Sequence, residues 1–372
     1  MAFKLEDIAN PGILPIQPYI PGKSIQEVIR EKGVTDVIKM ASNENPLGIS
    51  PLAYRAVKES LKNSFQYPEV SSMKLREALS GNLAVPPDYI MIGNGGDEII
   101  YTLAMTFLTD NDEVIMPELT FSMYEIVTRA MRGIVVKSKV VNLRIDLDDI
   151  LSKITDKTKI IFLCNPNNPS GDLLDKKSVY NFVSSVPENV IIMHDESYSE
   201  FADSKLMPNL RPFIKEGKKN IILLRTFSKI YGLAGIRVGY GIADPEMLSL
   251  MYRIRPPFGV SVPAQEAGAA ALKDQQFFLD TLELTEAGKD YIYKELKRLK
   301  LSFVKSHTNF ILIDTKRDCK IVSHRMISRG VIIRPMSSYN LPTFIRVTIG
   351  TDKQNERFIR ALEAVLNEVK PV

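Results

Sequence analysis

Lys229 sits in the segment NIILLRTFSKIYGLAGIRVGY, Asn220 to Tyr240, just after the apolar run Ile221–Leu224. Ser228 precedes it, Arg225 and Arg237 flank it, and Gly232 and Gly235 let the backbone turn sharply or approach another group closely. Cationic neighbours lower the pKa of an amine and suit an anion such as phosphate. An amine of lowered pKa is a good nucleophile toward aldehydes. A strand-end lysine facing water fits this stretch equally well on its own terms.

Other apolar runs end in the same manner. Lys159–Leu163 leads into CNPNNPSG, which contains Asn168, and Val190–Met193 leads into HDESY, with Asp195 and Tyr198. Tyr89–Ile92 leads into GNGGDE, with Gly96 and Asp97, and an amphipathic helix from Glu98 to Leu108 follows. Strand, glycine loop and helix start form a layout that binds phosphate through backbone N–H groups and the helix dipole. This is neither a Walker loop nor the dinucleotide fingerprint, and a tight turn explains the glycines as well. Taken singly, Asp195 reads equally as a helix cap, Tyr198 as a packed tyrosine and Asn168 as a loop residue.

The elements behind these residues make the stronger argument. Short apolar runs alternating with helices imply a largely parallel sheet covered on both faces. Ligands of such sheets sit outside the carboxyl ends of the strands. Asparagine, aspartate, tyrosine, lysine and arginine should therefore converge on one crevice. Ahead of the sheet, Pro11, Pro15, Pro18 and Pro21 mark an extended arm. Ser24 and Glu27 form a capping box for a helix that Gly33 ends. Val37–Met40 is a short strand, and SNENPLGIS from Ser42 a loop. Beyond Pro256-Pro257-Phe258 a long helical region runs from Pro263 to about Leu299. Strands at Phe303–Ile313, Gly330–Arg334 and Phe344–Ile349 then make a smaller α/β unit.

The totals set bounds. A chain of 372 residues suggests two domains, or one with a satellite. A net charge of +4 without a dense basic block argues against nucleic acid. No apolar stretch of about twenty residues predicts a membrane span, and MAFKLEDIANPG does not read as a signal peptide. Cys164 and Cys319 are too few for a disulfide framework and read as free thiols in a reducing compartment. They and the three histidines, His194, His307 and His324, share no metal-ligand spacing.

Together NPNNPSG, DESY, RTFSKIYGLAGIRVGY and GNGGDE resemble the fold-type I pyridoxal-phosphate aminotransferases. PYIPGK, SNENPLG, and YPE with a following LR are similar to the histidinol-phosphate branch of that family, over nearly the whole chain. The resemblance implies a large domain, 45–267, with a mostly parallel seven-stranded sheet sandwiched by helices. A small C-terminal domain, 268–372, would be completed by an N-terminal arm, 1–44. It implies a cytoplasmic transaminase of histidine biosynthesis using pyridoxal 5'-phosphate and no metal. L-histidinol phosphate and 2-oxoglutarate would be converted to the imidazolyl oxo-phosphate and L-glutamate by a ping-pong route. Lys229 would carry the cofactor as a Schiff base, and Asp195 would pair with its ring nitrogen. Tyr198 and Asn168 would bond its phenolic oxygen, and Phe121 would stack on its ring. Gly96, Asp97, Ser228 and Arg237 would hold its phosphate, with Tyr67 reaching across a homodimer. Arg334, Arg346 and Tyr19 would bind substrate. The alternatives are an aromatic amino-acid transaminase and a pyridoxal-phosphate lyase or decarboxylase of the threonine-phosphate type.

Overall fold

A computed structural model of the chain describes residues 3–18 and 22–372. Seven strands form the main sheet: β1 (Ile90–Gly93), β2 (Glu113–Pro117), β3 (Ile134–Ser138), β4 (Thr158–Cys164), β5 (Ile191–Asp195), β6 (Ile221–Thr226) and β7 (Gly239–Ala243). Their order across the sheet is β1-β7-β6-β5-β4-β2-β3. Every pairing is parallel except those of β7, which runs antiparallel to both neighbours. β4, β5 and β7 are buried almost throughout, as expected of strands covered on both faces. One apolar core lies on each face, around Ile161, Ile192 and Leu223 on one side and Phe162, Met193 and Leu224 on the other. The alternation of side chains along each strand divides these residues between the two cores.

The expected strands and most helices form where the sequence places them. Ser24 and Glu27 make their reciprocal capping bonds on the helix Ile25–Lys32, and Gly33 closes it in the left-handed conformation. Several readings change: the arm read as extended carries short 3-10 turns at Leu5–Ile8 and Pro11–Ile13, and Gly330–Arg334 splits into Val331–Ile332 and Arg334–Pro335, which pair in different sheets. The helix after β1 begins at Gly95, not Glu98, so both glycines lie in its first turn. The long region from Pro263 is two helices, Val262–Ala271 and Gln275–Arg298. Asp274 breaks them apart: its carboxylate accepts from Phe277 N, capping the second helix, and from Ser50 Oγ at 2.6 Å. The span Phe303–Ile313 is likewise two strands, β8 (Ser302–Phe303) and β9 (Phe310–Asp314).

Like the short hairpin of Val140–Val141 with Arg144–Ile145, strand β7 is an element the sequence did not show. Gly239 and Gly241 dilute its apolar signal, yet the close approach requires them. A Cβ on Gly239 would lie 2.8 Å from Gly96 N. With β10 (Arg334–Pro335) and β11 (Phe344–Thr348), the later strands form a second sheet in the order β8-β9-β11-β10, around a separate core with Ile311, Val347 and Phe358. Ile38–Lys39 pairs in parallel with Val331–Ile332, tying the early chain to this unit.

Candidate active site

The carboxyl ends of the central strands open on a cavity of about 290 Å³. Gly96, Asp97, Phe121, Asn168, Asp195, Tyr198, Ser228, Lys229, Arg237, Arg334 and Arg346 all line it. Tyr67 does not: it is 81% exposed and stacks on Phe258 with ring centroids 4.5 Å apart. Tyr19 lies outside the described residues.

Sheet register explains the convergence. Asp195 ends β5 directly beside Cys164 of β4 and Leu224 of β6. Its carboxylate is buried; Oδ1 accepts from Ser197 N at 2.9 Å and Oδ2 from the Tyr124 hydroxyl at 2.6 Å. Burial pushes the Asp195 carboxyl above its usual range, and these donors pull it back toward the anion. Burial also raises the phenol pKa of Tyr198, against the pull of Arg346 and of Asn43, whose Nδ2 donates to Tyr198 OH at 2.8 Å.

Lys229 follows β6 by three residues. Its amine donates to Ser42 O at 3.3 Å and lies 5.7 Å from the Tyr198 ring centroid. Burial, then the charges of Arg346 and Arg237, bring its pKa down to about 8. The loop that carries it is fixed by Asn45, whose Nδ2 donates to Ile230 O at 3.0 Å and Thr281 Oγ1 at 3.1 Å. Gly232, at φ +67°, lets that loop pack against Gly48; an added Cβ would overlap Gly48 O and lie 2.9 Å from Gly48 C.

At the other end of the cavity the first turn of the helix Gly95–Phe107 presents its amides beside Ser228 and Arg237. Arg237 reaches there from a left-handed residue at φ 61° and donates to Asp97 Oδ2 at 3.2 Å. Gly95, at φ +78°, makes room for it: a Cβ would lie inside contact distance of Nη2 and 2.9 Å from Cζ.

The second sheet supplies the remaining wall. Arg346 on β11 is buried, donates through Nη2 to Ala41 O at 3.0 Å and through Nη1 to Asn168 Oδ1, and packs over Phe310. Its Nε is buried without a partner. Sequence reading missed Tyr124 and Asn43. Tyr124 stands three residues after Phe121 at a helix start, a spacing that puts both on one side of the turn. Asn43 lies in SNENPLG, read as a loop and as part of the resemblance, with no role given to Asn43 itself. Among the described residues there is no cluster suited to a metal, and no helix is long and apolar enough to cross a membrane.

A lysine of lowered pKa, a buried carboxylate and a helix-start anion cradle on an α/β fold define a group-transfer enzyme of the kind that works through an amine. The family profile of class I and II aminotransferases matches residues 35–362. The histidinol-phosphate aminotransferase of Moorella thermoacetica is 45% identical over 355 residues, covering 95% of this chain and 92% of that protein. That of Caldicellulosiruptor saccharolyticus is 42% identical over 354 residues, covering 95% and 99%. The crystal structure of histidinol-phosphate aminotransferase from Sinorhizobium meliloti in complex with pyridoxal-5'-phosphate superposes with a TM-score of 0.88 at 26% identity, covering 95% and 98%. The chain belongs to the class I and II aminotransferases.

Proposed function

We propose that the chain is a pyridoxal-phosphate-dependent transaminase of histidine biosynthesis. It exchanges the amino group of L-histidinol phosphate with 2-oxoglutarate, giving the imidazolyl oxo-phosphate and L-glutamate. The observation that carries this reading is the enclosure of Lys229, Asp195 and two substrate-facing arginines in one cavity.

The residues fit the cofactor. Gly95 and Gly239 leave a cradle that a Cβ would fill, and the donors around it suit a phosphate. The amides of Gly96 and Asp97, the Ser228 hydroxyl and the Arg237 guanidinium would hold that group. Charge-assisted bonds of this kind contribute roughly 1.5–3 kcal/mol each. Asp195 would hold the protonated ring nitrogen, Phe121 the ring face, and Asn168 with Tyr198 the phenolic oxygen. When bound, pyridoxal phosphate supplies an aldehyde that condenses with amines and a ring that accepts the electron pair released at the substrate Cα. Lys229 Nζ would move the proton between the substrate Cα and the cofactor's C4′ carbon; a pKa of about 8 leaves a fraction as free amine near neutrality. Arg346, with its unpaired Nε, and Arg334 bind the substrate anion: phosphate in one half-reaction, carboxylate in the other. Tyr19 would close over it.

The proposal includes a cytoplasmic homodimer in which Tyr67 reaches the partner subunit's cofactor phosphate. The exposed Phe65, Tyr67 and Val70 supply an apolar surface for that contact, and two buried free thiols suit a reducing compartment. It also includes the division into an arm, 1–44, a cofactor unit, 45–267, and a C-terminal unit, 268–372. The two separate sheet cores support two units.

Amino-donor competition tests the substrate assignment. With 2-oxoglutarate as acceptor, kcat/KM for histidinol phosphate should exceed that for phenylalanine by about a hundredfold or more, the scale of one charge-assisted hydrogen bond. A preference for phenylalanine would make the chain an aromatic transaminase instead.

A further inference from the structure

We infer that Tyr124 is a positioning residue for the cofactor: its hydroxyl locks the Asp195 carboxylate so that the remaining acceptor positions face the ring nitrogen. This rests on the cofactor reading above and adds to it a residue that does not itself reach the cofactor.

The geometry is specific. Tyr124 is fully buried, and its hydroxyl donates to Asp195 Oδ2 at 2.6 Å. The phenol ring is held on two sides. It stacks on Phe162 with centroids 4.6 Å apart and planes 3° from parallel, and Phe121 meets it edge-on at 5.6 Å and 88°. A ring so packed has one place to put its hydroxyl. The opposite carboxylate oxygen is held by Ser197 N at 2.9 Å. Asp195 is thus held by Tyr124 on one oxygen and by Ser197, through amide and hydroxyl, on the carboxylate's other side, and a carboxylate offers about two acceptor positions per oxygen. The positions left over are the ones that open on the cavity, which Asp195 lines. Burial and the neighbouring Asp195 raise the phenol pKa well above its ordinary value, which keeps Tyr124 a donor near neutrality. Phe121, the expected ring-stacking residue, rests on the same phenol. One side chain therefore sets both the plane of the ring and the aim of its anionic partner.

Tyr124→Phe keeps the stack and removes the donor. Equilibrium dialysis of the apo-protein should show pyridoxal phosphate affinity falling about tenfold, the scale of one hydrogen bond to a charged group. The deaza analogue, with carbon in place of the ring nitrogen, should bind wild type and variant equally, because it makes no bond to Asp195. Packing damage would weaken both ligands alike, and equal losses, like unchanged affinity for both, would overturn the inference. Should Tyr124→Phe fail to fold, 3-fluorotyrosine at this position keeps the shape and donates more strongly. It should tighten pyridoxal phosphate and leave the analogue unchanged; no difference between the ligands would again overturn the inference. Wild-type protein that bound no pyridoxal phosphate would remove the cofactor reading itself, a distinguishable result.

Discussion

Arg334 and Arg346 stand directly opposite one another on adjacent antiparallel strands, and both line the active-site cavity. Like charges in that relation oppose pairing of the strands. Arg346 is buried, with one guanidinium nitrogen unpartnered. A substrate anion held by both arginines would offset these penalties. Arg346→Lys keeps one charge and loses the planar fork. It should lower kcat/KM about 30- to 100-fold, corresponding to about 2–3 kcal/mol for a lost charge-assisted pair. Steady-state kinetics should show the loss for histidinol phosphate and for glutamate alike, because one site serves both anions. A loss confined to one substrate would mean the two anions bind separately.

Lys229 has a pKa of about 8 in the folded apo-protein against an ordinary value of 10.5. Below pH 8 the folded state holds a protonated amine that is buried and close to Arg346 and Arg237, which disfavours folding. As pH rises from about 8 to 10.5 the folded state has released its proton and the unfolded state has not, so stability relative to a neutral side chain rises. Lys229→Met should therefore melt higher than wild-type apo-protein at pH 7, with the gap narrowing through that window. Paired thermal melts from pH 7 to 10.5 check this; a gap constant with pH would mean the amine is not perturbed. The same variant should have no measurable transaminase turnover.

The strand ends were legible because their chemistry is local. An apolar run that breaks into NPNNPSG, DESY or RTFSK announces both strand and site within one segment. Asn168, Asp195 and Lys229 follow from that pattern, and the sheet register brings them together. What stayed hidden depends on contacts between distant segments. Strand β7 is glycine-rich because it passes the helix-start loop at close range, a need visible only once Gly96 and Gly239 are neighbours. Asn43 looks like turn chemistry until Tyr198, 155 residues later, arrives within 2.8 Å. Asp274 breaks a helical pattern by capping, and its second partner, Ser50, is 224 residues away.

Gly95 offers a test of the phosphate cradle that mutates none of the side chains assigned to the ligand. A Cβ there would collide with the Arg237 guanidinium and force a left-handed φ on alanine. Arg237 must then withdraw from the helix start. Gly95→Ala should lower pyridoxal phosphate affinity at least tenfold while changing pyridoxal affinity little, since the lost contact is to the phosphate. Equilibrium dialysis with the two ligands separates the outcomes. An equal loss for both would place Arg237 outside the phosphate site.

Glu196, next to Asp195, anchors a buried ion network under the cavity. Its Oε2 accepts from Arg225 Nε at 2.8 Å and Nη2 at 2.6 Å, and its Oε1 lies 3.1 Å from His194 Nδ1. Burial opposes its charge, but Arg225 and His194 prevail and hold its pKa down at about 2. A carboxylate with a lowered folded pKa gives stability that is present above its ordinary value of 4.5 and lost as pH falls toward 2. Glu196→Gln leaves the Arg225 guanidinium without its closest anion and should destabilise by about 3–5 kcal/mol at pH 7. Because Glu196 joins the end of β5 to Arg225 of β6, the strands that position Asp195 and Lys229, turnover should fall with stability. Urea unfolding at a series of pH values provides the check. The urea midpoint of wild type should drop steeply between pH 4.5 and 2, and that of Glu196→Gln, already lower, should change less over the same range. Parallel curves would mean that some other carboxylate governs acid unfolding.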